Sequence, residues 1–382
     1  MEKAVVAGTH RVRTAEETLE IITPRLMDYG ITRLADVTGL DNIGVPVVMA
    51  VRPLAATLSV AQGKGLTLAL AKVSGAMECI EFWHAEETVP PPELTGVPAA
   101  ELQLGYRVTD LEHDAGSLLT EHTLLDWIQA RSAVDGRPAL VPRLAVRIGR
   151  SPGDWSPGAP SATTNGLASG NTRAEAVAHA LYELVERDAM SGLEFTMASD
   201  RTYVDPESVG GWCGELIGRV RAAGAWLELV AAPSRFGVPC FSAYLWREDF
   251  PSTFAGAGAH SDPAVALSRA VTEAAQSRLT AIAGTRDDIH PSIYSRPSAA
   301  SVQPVTPAGR VNWDVLTAEF TRSFATDEDE AAWLARHIAT ITGMDPLVVD
   351  LCSGDISVVK ILSPELSRIM RHHSGRPAAA AS

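Results

Sequence analysis

The sequence predicts a mixed α/β fold, and three observations support this class. Apolar, β-branched runs such as residues 45–51 are typical of buried strands. Long stretches rich in Ala and Leu, such as residues 67–86, are typical of helices. Both kinds of segment occur along the whole chain, without a clean break in composition. We therefore expect one domain over residues 1–365, with two subdomains meeting near residues 150–170, and a flexible tail over residues 366–382.

Five segments have the composition of helices, and the sequence indicates where several of them begin or end. The first ends at Gly30, a residue type that commonly follows a helix. Thr172 and Glu175 form an S/T-x-x-E capping box at the start of the third. Asp262 is the N-cap candidate of the fourth, and Pro263 suits its first position. The fifth begins with acidic residues, which favour the helix dipole. The predicted helices cover residues 16–29, 67–86, 172–190, 263–283 and 327–342.

The predicted strands are short apolar segments separated by stretches rich in Gly and Pro. Residues 151–169 form the clearest irregular region, because Ser, Pro, Gly and Thr dominate this part of the sequence. Gly256 and Gly258 predict a turn before the fourth helix. The predicted strands cover residues 45–51, 226–230, 241–246, 347–351 and 356–362.

The charge balance argues against two classes of partner. The 382 residues include 32 Lys and Arg against 46 Asp and Glu, which gives a formal net charge of −14. Nucleic acids and anionic membranes both bind to basic surfaces, so we expect neither as a partner. The four cysteines form no CxxC pair, and this argues against a structural zinc site or a disulfide framework. With no signal-peptide pattern, we expect a cytoplasmic protein.

Several common nucleotide-binding and catalytic motifs are absent. A P-loop needs the pattern GxxxxGK[ST], but Gly63-Lys64 is followed by Gly65 and preceded by Leu58 at the first glycine position. Gly256 and Gly258 form only half of a dinucleotide-binding fingerprint. The patterns GxSxG and HExxH do not occur. The sequence therefore gives no sign of a P-loop NTPase, a serine hydrolase or a zinc protease.

Two predicted helices carry glutamates on one face. Glu78 and Glu81 are spaced i,i+3 in the second helix. In the third, Glu183 and Glu186 lie about 80° and about 20° from Glu175 around the helix axis. Two such pairs can converge on Mg²⁺, which binds carboxylate, water and phosphate oxygens. Their apolar neighbours favour buried carboxylates that need partners, while an ordinary solvated helix face is the alternative.

Polar residues in and after the fourth predicted helix are candidate contacts for a base or a phosphate. These residues are Gln276, Arg278 and Arg286. Judged by spacing alone, ordinary surface polarity explains them equally well.

The order of these motifs resembles that of the YcaO family. Ser74-Gly-Ala-Met-Glu78-Cys-Ile-Glu81 resembles the family's SxxxExxE motif. Residues 165–188 are similar to its second motif, and residues 269–288 are similar to its third. The resemblance extends over residues 8–362 and keeps the family's order.

The resemblance implies an ATP-binding α/β fold whose nucleotide site lies between helices and is not a P-loop. It also implies a role for four glutamates as catalytic ligands of Mg²⁺: Glu78, Glu81, Glu183 and Glu186. The implied contacts to ATP or its metals come from nine further residues: Arg11, Thr18, Lys64, Ser74, Asn171, Glu175, Gln276, Arg278 and Arg286. Ala168 and Phe82 depart from the family pattern at positions that concern local contacts to ATP.

Family members use ATP to activate a backbone amide of a peptide, and the resemblance implies the same reaction class here. A nucleophile adds to the carbonyl carbon, and the resulting oxyanion attacks the γ-phosphate. Loss of phosphate then completes the exchange of the oxygen. External sulfide gives a thioamide, whereas a Cys, Ser or Thr side chain of the peptide gives an azoline.

We expect thioamide formation in a ribosomally made precursor peptide, with azoline formation as the alternative. The chain ends without the PxPxP tail that family cyclodehydratases often have, and it carries no fused peptide-binding domain. The thioamide branch of the family often works with a TfuA-like partner protein or a sulfur donor. A homodimer is a further expectation. A non-catalytic adaptor that binds a peptide is the alternative from another functional class.

Overall fold

A computed structural model describes residues 3–113, 117–149, 160, 162–286, 288–289, 291–294, 304–364 and 366. The predicted tail over residues 366–382 lies outside these residues except for Leu366. Residues 151–159 and 161 of the predicted irregular region also lie outside them.

Helices and strands are mixed along the chain, which confirms the predicted α/β class. The helices are α1 (Ala15–Ile22), α2 (Leu68–Glu87), α3 (Arg173–Phe195), α4 (Gly211–Ala222), α5 (Pro263–Ala283), α6 (Trp313–Thr317) and α7 (Asp327–Thr342). The strands are β1 (Ala4–Val6), β2 (Thr9–Arg11), β3 (Arg33–Asp36), β4 (Val47–Val51), β5 (Val60–Lys64), β6 (Leu94–Pro98), β7 (Leu124–Ser132), β8 (Pro138–Pro142), β9 (Leu167–Gly170), β10 (Thr202–Tyr203), β11 (Trp226–Ala231), β12 (Cys240–Arg247), β13 (Phe250–Ala259), β14 (Leu347–Cys352) and β15 (Ser357–Leu362).

All five predicted helices are present. Asp262 caps α5 as predicted, because its side chain accepts a hydrogen bond from the amide of Ala264. The first predicted helix is α-helical only over Ala15–Ile22 and continues as a 3₁₀ helix over Thr23–Tyr29. It ends at Gly30, whose φ of 71° is left-handed. The third extends five residues beyond the predicted end, to Phe195.

Two strands include residues for which the sequence predicts irregular structure, at 167–169, or a turn, at Gly256 and Gly258. Leu167–Gly170 form β9, and Phe250–Ala259 form β13. Small residues occupy both because a helix packs closely against each strand. A Cβ atom on Gly256 would lie 2.3 Å from the carbonyl oxygen of Ala270 in α5, and one on Gly170 would lie 2.6 Å from the amide nitrogen of Ala176 in α3. These glycines therefore permit close helix–strand packing and are not turn residues.

The described residues fall into two compact units, each assembled from separated stretches of the chain. The boundaries lie after Cys79, Ser191 and Ser323. The first unit contains residues 80–191 and the described residues from 324 onward, and the second contains residues 3–79 and the described residues of 192–323. The single domain over residues 1–365, with subdomains meeting near residues 150–170, stays a prediction.

A six-stranded antiparallel sheet is the centre of the first unit. Its order is β6-β7-β14-β15-β9, and β8 pairs with β7. All six residues of β15 are buried, while β9 forms the edge beyond it. Tyr182 of α3 donates a 2.5 Å hydrogen bond to Glu330 of α7, and Arg173 of α3 forms a 2.6 Å ion pair with Asp350 of β14. These contacts fix the beginning and middle of α3 within the unit.

The second unit contains three antiparallel sheets. They are the hairpin β1-β2, the sheet β3-β4-β5 and the sheet β10-β11-β12-β13. Buried side chains of α4, β11, β12 and α5 form its main apolar core, for example Val220, Leu229, Leu245 and Val271. This core holds α5, which carries the predicted polar residues Gln276 and Arg278, against the four-stranded sheet.

Candidate active site

Glu81 is held by the edge strand of the first unit's sheet. The amide nitrogen and the hydroxyl of Ser169 both donate to Oε1 of Glu81, at 2.8 and 2.5 Å. Ser169 lies on β9, which pairs only with β15 in this sheet. An amide on the open side of an edge strand has no strand partner, and the half-buried carboxylate of Glu81 accepts it instead. The sheet edge therefore determines where this carboxylate lies.

Glu183 is held by the turn that leads into the same strand. The amide nitrogen of Gly166 donates to its Oε2 at 3.3 Å, and Arg187 approaches its Oε1 at 3.5 Å. The side chain of Glu183 is 22% exposed. Burial raises the pKa of Glu183, and the positive charges of Arg187 and Lys360 oppose the rise. A divalent cation beside this carboxylate would favour its charged form.

Asn171 and Glu175 bind each other at the start of α3, and both are buried. The backbone amide and the side-chain amide of Asn171 donate to Oε1 of Glu175, each at 3.2 Å. The hydroxyl of Thr172 accepts the amide of Glu175 at 3.2 Å. The hydrogen bond from the Glu175 amide to Thr172 is the one that the predicted capping box requires. The carboxylate of Glu175 accepts hydrogen bonds from Asn171, the residue before the predicted cap.

Glu186 and Glu78 are half-buried, which agrees with their apolar neighbours in the sequence. Glu186 follows Glu183 by three residues in α3, which places the two glutamates on one side of the helix. Glu78 belongs to the second unit. There, hydrogen bonding and charge interaction with Asp288 raise the pKa of Arg286, and the charge of Glu78 adds to the rise. Glu78 and Arg286 therefore lie within electrostatic range.

Lys64 and Gln276 lie where β5 and α5 of the second unit meet. Lys64, at the end of β5, forms a 2.9 Å ion pair with Glu273 of α5. Gln276 lies three residues further along α5 and donates to the backbone carbonyl of Gln62 on β5. Lys64 and Gln276, two of the residues that the family resemblance implies as contacts to ATP, therefore lie together at the β5–α5 junction. Ser74 is half-buried on α2.

Arg278 lies in the interior of the second unit, because only 1% of the residue is exposed. Its guanidinium donates to Asp41 and to Asp249, both at 2.8 Å, and to the carbonyl of Phe250 at 3.4 Å. These contacts join α5 to two other parts of the unit. They give Arg278 a structural function, and its role as an ATP contact stays a prediction.

Arg11 and Thr18 have local partners in the second unit. Arg11 donates to the hydroxyl of Thr9 at 3.3 Å, and Thr18, which is 2% exposed, donates to the carbonyl of Thr14 at 2.9 Å. Their predicted contacts to ATP stay predictions.

The carboxylates of the first unit fit a magnesium ion by their chemistry. Carboxylate oxygens are preferred ligands of Mg²⁺. Glu81 and Glu183 are fixed by donors from one short segment, residues 166–169, and the raised pKa of Glu183 would be offset by a cation. Among the described residues, no group of three or more His, Cys, Asp or Glu side chains is arranged to hold a metal. The roles of the predicted ligands stay predictions.

Four further residues lie around these carboxylates without a signal in the predicted site. Gly166 and Ser169 donate to Glu183 and Glu81, and Glu112 and Lys360 bind the residues just before Gly166. A single lysine within the apolar strand β15 is a signal that points to Lys360. The composition of residues 151–169 predicts irregular structure, which hides the backbone roles of Gly166 and Ser169.

The helices of the described residues include none with the length and apolar composition of a membrane span.

Comparison with known proteins identifies the family. A family model described as YcaO cyclodehydratase, ATP- and Mg²⁺-binding, matches residues 62–367. A Mycobacterium tuberculosis protein is 38% identical over 370 residues, which cover 94% of this chain and 83% of the relative. A Rhizobium leguminosarum bv. trifolii protein, described as lying in the tfuA 3′ region, is 38% identical over 300 residues and covers 75% of this chain and 70% of the relative.

The fold also matches a solved structure. The structure of YcaO from Methanopyrus kandleri, bound with AMPPCP and Mg²⁺, superposes with a TM-score of 0.75 at 24% identity and covers both chains completely. The family model and the two relatives cover most of the chain, and the solved structure confirms the α/β fold. The chain therefore belongs to the YcaO family of ATP-dependent, peptide-modifying enzymes, whose cofactors are ATP and Mg²⁺.

Proposed function

We propose that this enzyme installs a thioamide in the backbone of a ribosomally made precursor peptide. The observation that carries the proposal is the Rhizobium relative, which is 38% identical over 75% of this chain and is described as lying in the tfuA 3′ region. The position of this relative in the tfuA 3′ region favours a TfuA-like partner protein that helps to deliver sulfur. The homodimer and the cytoplasmic location stay predictions.

The proposed reaction replaces the oxygen of one peptide amide by sulfur. Hydrosulfide, from an external sulfur donor, forms a C–S bond at the carbonyl carbon, and the amide oxygen becomes an oxyanion. Bound Mg-ATP supplies the γ-phosphoryl group that this oxyanion takes. The C–O bond then breaks, and the oxygen leaves as part of inorganic phosphate. One amide, one hydrosulfide and one ATP thus give one thioamide, one ADP and one phosphate.

The residues proposed as magnesium ligands are Glu78, Glu81, Glu183 and Glu186. Support within the first unit comes from the donors of Ser169 and Gly166, which hold Glu81 and Glu183 in defined positions. Ligands that are fixed in advance lose less conformational entropy when a cation binds. These glutamates would orient the ion and balance its charge, and no nucleophile from the protein is required.

The residues proposed as contacts to ATP are polar, and several of them already have defined partners. Asn171 and Glu175 are already oriented by their mutual hydrogen bonds. Lys64 and Gln276 lie at the β5–α5 junction, where a cation and an amide can bind phosphate or a base. Ser74, Arg11, Thr18, Arg278 and Arg286 complete the proposed set.

Azoline formation is the second candidate, because the family model is described as a cyclodehydratase. Here a Cys, Ser or Thr side chain of the substrate attacks the amide instead of sulfide. The same carboxylates and the same ATP chemistry serve both reactions, so the nucleophile alone decides the product. A non-catalytic adaptor is the candidate from another class, and it predicts no ATP turnover.

Mass spectrometry of the peptide distinguishes these candidates. A candidate precursor peptide is incubated with the enzyme, the TfuA-like partner, Mg-ATP and a sulfide source. We expect the mass gain of an oxygen-to-sulfur exchange, dependent on sulfide. Loss of one water without sulfide would instead identify azoline formation. An unmodified peptide without ATP turnover, in the presence of partner and sulfide, would favour the adaptor.

A further inference from the structure

The turn of residues 163–166 connects the interior of the first unit to Glu183. Gly166 donates its amide to Oε2 of Glu183 at 3.3 Å, and its own carbonyl accepts the amide of Ile361 on β15 at 2.8 Å. Gly166 has a φ of +72°, and a Cβ atom there would lie 2.4 Å from the carbonyl oxygen of Ile361. Only glycine therefore fits this position, and the direction of its amide depends on how the turn lies against β15.

Lys360 holds this turn from inside the sheet. The residue is 2% exposed, and its ammonium group donates to the carbonyls of Thr163 and Asn165, at 2.5 and 2.6 Å. A buried ammonium group is costly unless it is well bonded. The carbonyl of Asn165 belongs to the same peptide group as the Gly166 amide, and Thr163 begins the turn. Lys360 therefore fixes the peptide groups that set the direction of the Gly166 amide.

Glu112 holds the same turn by binding the side chains of Thr163 and Asn165. Its Oε2 accepts the hydroxyl of Thr163 at 2.7 Å and the side-chain amide of Asn165 at 3.2 Å. A cavity of about 10 Å³, roughly the space for one water molecule, is lined by the turn, Glu112 and Lys360. The turn is therefore held mainly by polar contacts.

We propose that Lys360 and Glu112 are positioning residues for the magnesium site: they fix the 163–166 turn, and this turn holds the carboxylate of Glu183. The proposal rests on the proposed function, because it assigns metal binding to Glu183. The same segment continues into β9, where Ser169 holds Glu81. One buried lysine and one glutamate thus support the segment that orders two proposed ligands.

Electrostatics alone predicts a different outcome for Lys360. Its positive charge lies close enough to oppose the rise in the pKa of Glu183. If charge were its only effect, loss of the ammonium group would strengthen the binding of a divalent cation at Glu183. If Lys360 acts by position, the loss weakens that binding, because Glu183 loses its fixed place. Lys360→Met removes the charge and the donors while keeping a similar length, so it separates the two effects by sign.

The test measures Mn²⁺ binding to the full chain, with and without a non-hydrolysable ATP analogue, by the electron paramagnetic resonance of free Mn²⁺. We expect Lys360→Met and Glu112→Ala each to weaken binding by about tenfold or more, the effect typical of residues that orient metal ligands. Hydrogen–deuterium exchange of peptides covering residues 163–170 should become faster in both variants. Val359→Ala, which removes a buried side chain next to Lys360 on β15, is the control for general weakening of the strand and should keep the affinity.

The outcomes separate this inference from the proposed function. If Glu183→Ala binds Mn²⁺ as tightly as the wild type, the metal assignment itself is wrong. If Glu183→Ala loses Mn²⁺ while Lys360→Met binds it equally well or more tightly, the positioning role of Lys360 is wrong. If Lys360→Met does not fold, Thr163→Val replaces it, because this change removes the hydroxyl that donates to Glu112 and accepts the amide of Asn165. Unchanged affinity and exchange in Thr163→Val and Glu112→Ala would then overturn the inference.

Discussion

The two units hold their charged side chains in different ways. In the second unit, charged groups bind each other: Lys64 pairs with Glu273 at 2.9 Å, and Arg278 pairs with Asp41 at 2.8 Å. Glu273 and Arg278 of α5 are thus each paired with an opposite charge.

In the first unit, neutral donors contact the proposed ligands Glu81 and Glu183, although other carboxylates there form ion pairs, such as Asp350 with Arg173. Glu81 accepts the amide and the hydroxyl of Ser169, and Glu183 accepts the amide of Gly166. Arg187 also approaches Glu183, but its side chain is 42% exposed. A neutral donor fixes a carboxylate without cancelling its charge, whereas an ion pair cancels it. This contrast agrees with the proposed role of Glu81 and Glu183 as metal ligands and with a structural role for Arg278.

Replacement of Arg278 should give the largest change in stability. Arg278→Met removes the 2.8 Å ion pair of the Asp41 carboxylate, whose side chain is 4% exposed, and leaves Arg247 at 3.7 Å. We expect the free energy of unfolding in urea to fall by about 3–5 kcal/mol. Arg286→Met is the control, because Arg286 pairs with Asp288, whose side chain is 45% exposed. This variant should lower the free energy of unfolding by less than about 1 kcal/mol. Unchanged stability of Arg278→Met, with a raised KM for ATP, would make Arg278 a nucleotide contact.

Removal of the Ser169 hydroxyl tests the neutral donors of the first unit. Ser169→Ala removes the hydroxyl that donates to Glu81 and keeps the backbone amide. A hydrogen bond to a charged group contributes about 1.5–3 kcal/mol. We expect the Mg²⁺ concentration for half-maximal ATP hydrolysis to rise about tenfold or more. Ser169→Thr retains the hydroxyl and should restore most of the affinity. An unchanged Mg²⁺ requirement in Ser169→Ala would remove Glu81 from the metal site.

His260 tests whether the interior of the second unit keeps a buried imidazole neutral. Its Nδ1 accepts the amide of Asp262 at 2.9 Å, so this nitrogen is unprotonated. Burial lowers the pKa of His260 well below its usual value, and the charges of Arg269 and His10, with those of Lys3 and Arg11, lower it further. The folded pKa is depressed, so the stabilisation is present above the unfolded pKa of about 6.5 and is lost as pH falls below it.

The free energy of unfolding should therefore fall on acidification by up to about 1.4 kcal/mol per pH unit through this group. His260→Gln can still accept the amide of Asp262 but does not titrate, so its stability should depend less steeply on pH below about 6.5. Equal slopes in the wild type and the variant would show that His260 is protonated in the folded protein.

The pair of Lys64 and Glu273 should give the smallest effect. Both side chains are about a quarter exposed, at 25% and 29%, and such pairs contribute about 0.2–1 kcal/mol. A double-mutant cycle with Lys64→Met and Glu273→Gln should give a coupling energy in unfolding of this size. A larger rise in the KM for ATP in Lys64→Met than in Glu273→Gln would support the proposed contact to phosphate. Equal KM values in both variants would limit Lys64 to a structural role.

The sequence was sufficient for the helices that carry the proposed ligands but not for the contacts that hold them. Local signals defined α2, α3 and α5, because composition, caps and glycines act over a few residues. The strand β9 was missed because its small residues reflect packing against α3, which is a tertiary effect. The partner of Arg278, Asp41, lies 237 positions away in the chain, so spacing could not reveal the buried pair.

Mg²⁺-dependent ATP hydrolysis by Glu183→Ala tests the central claim most directly, namely that the carboxylates of the first unit bind the metal. Glu87→Ala is the matched control, since Glu87 is the exposed last residue of α2. Mutation of residues that merely orient metal ligands lowers metal affinity or activity about 10- to 100-fold. Removal of a ligand should therefore lower turnover by more than about a hundredfold. Glu87→Ala should match the wild type. Full turnover in Glu183→Ala would contradict the metal assignment.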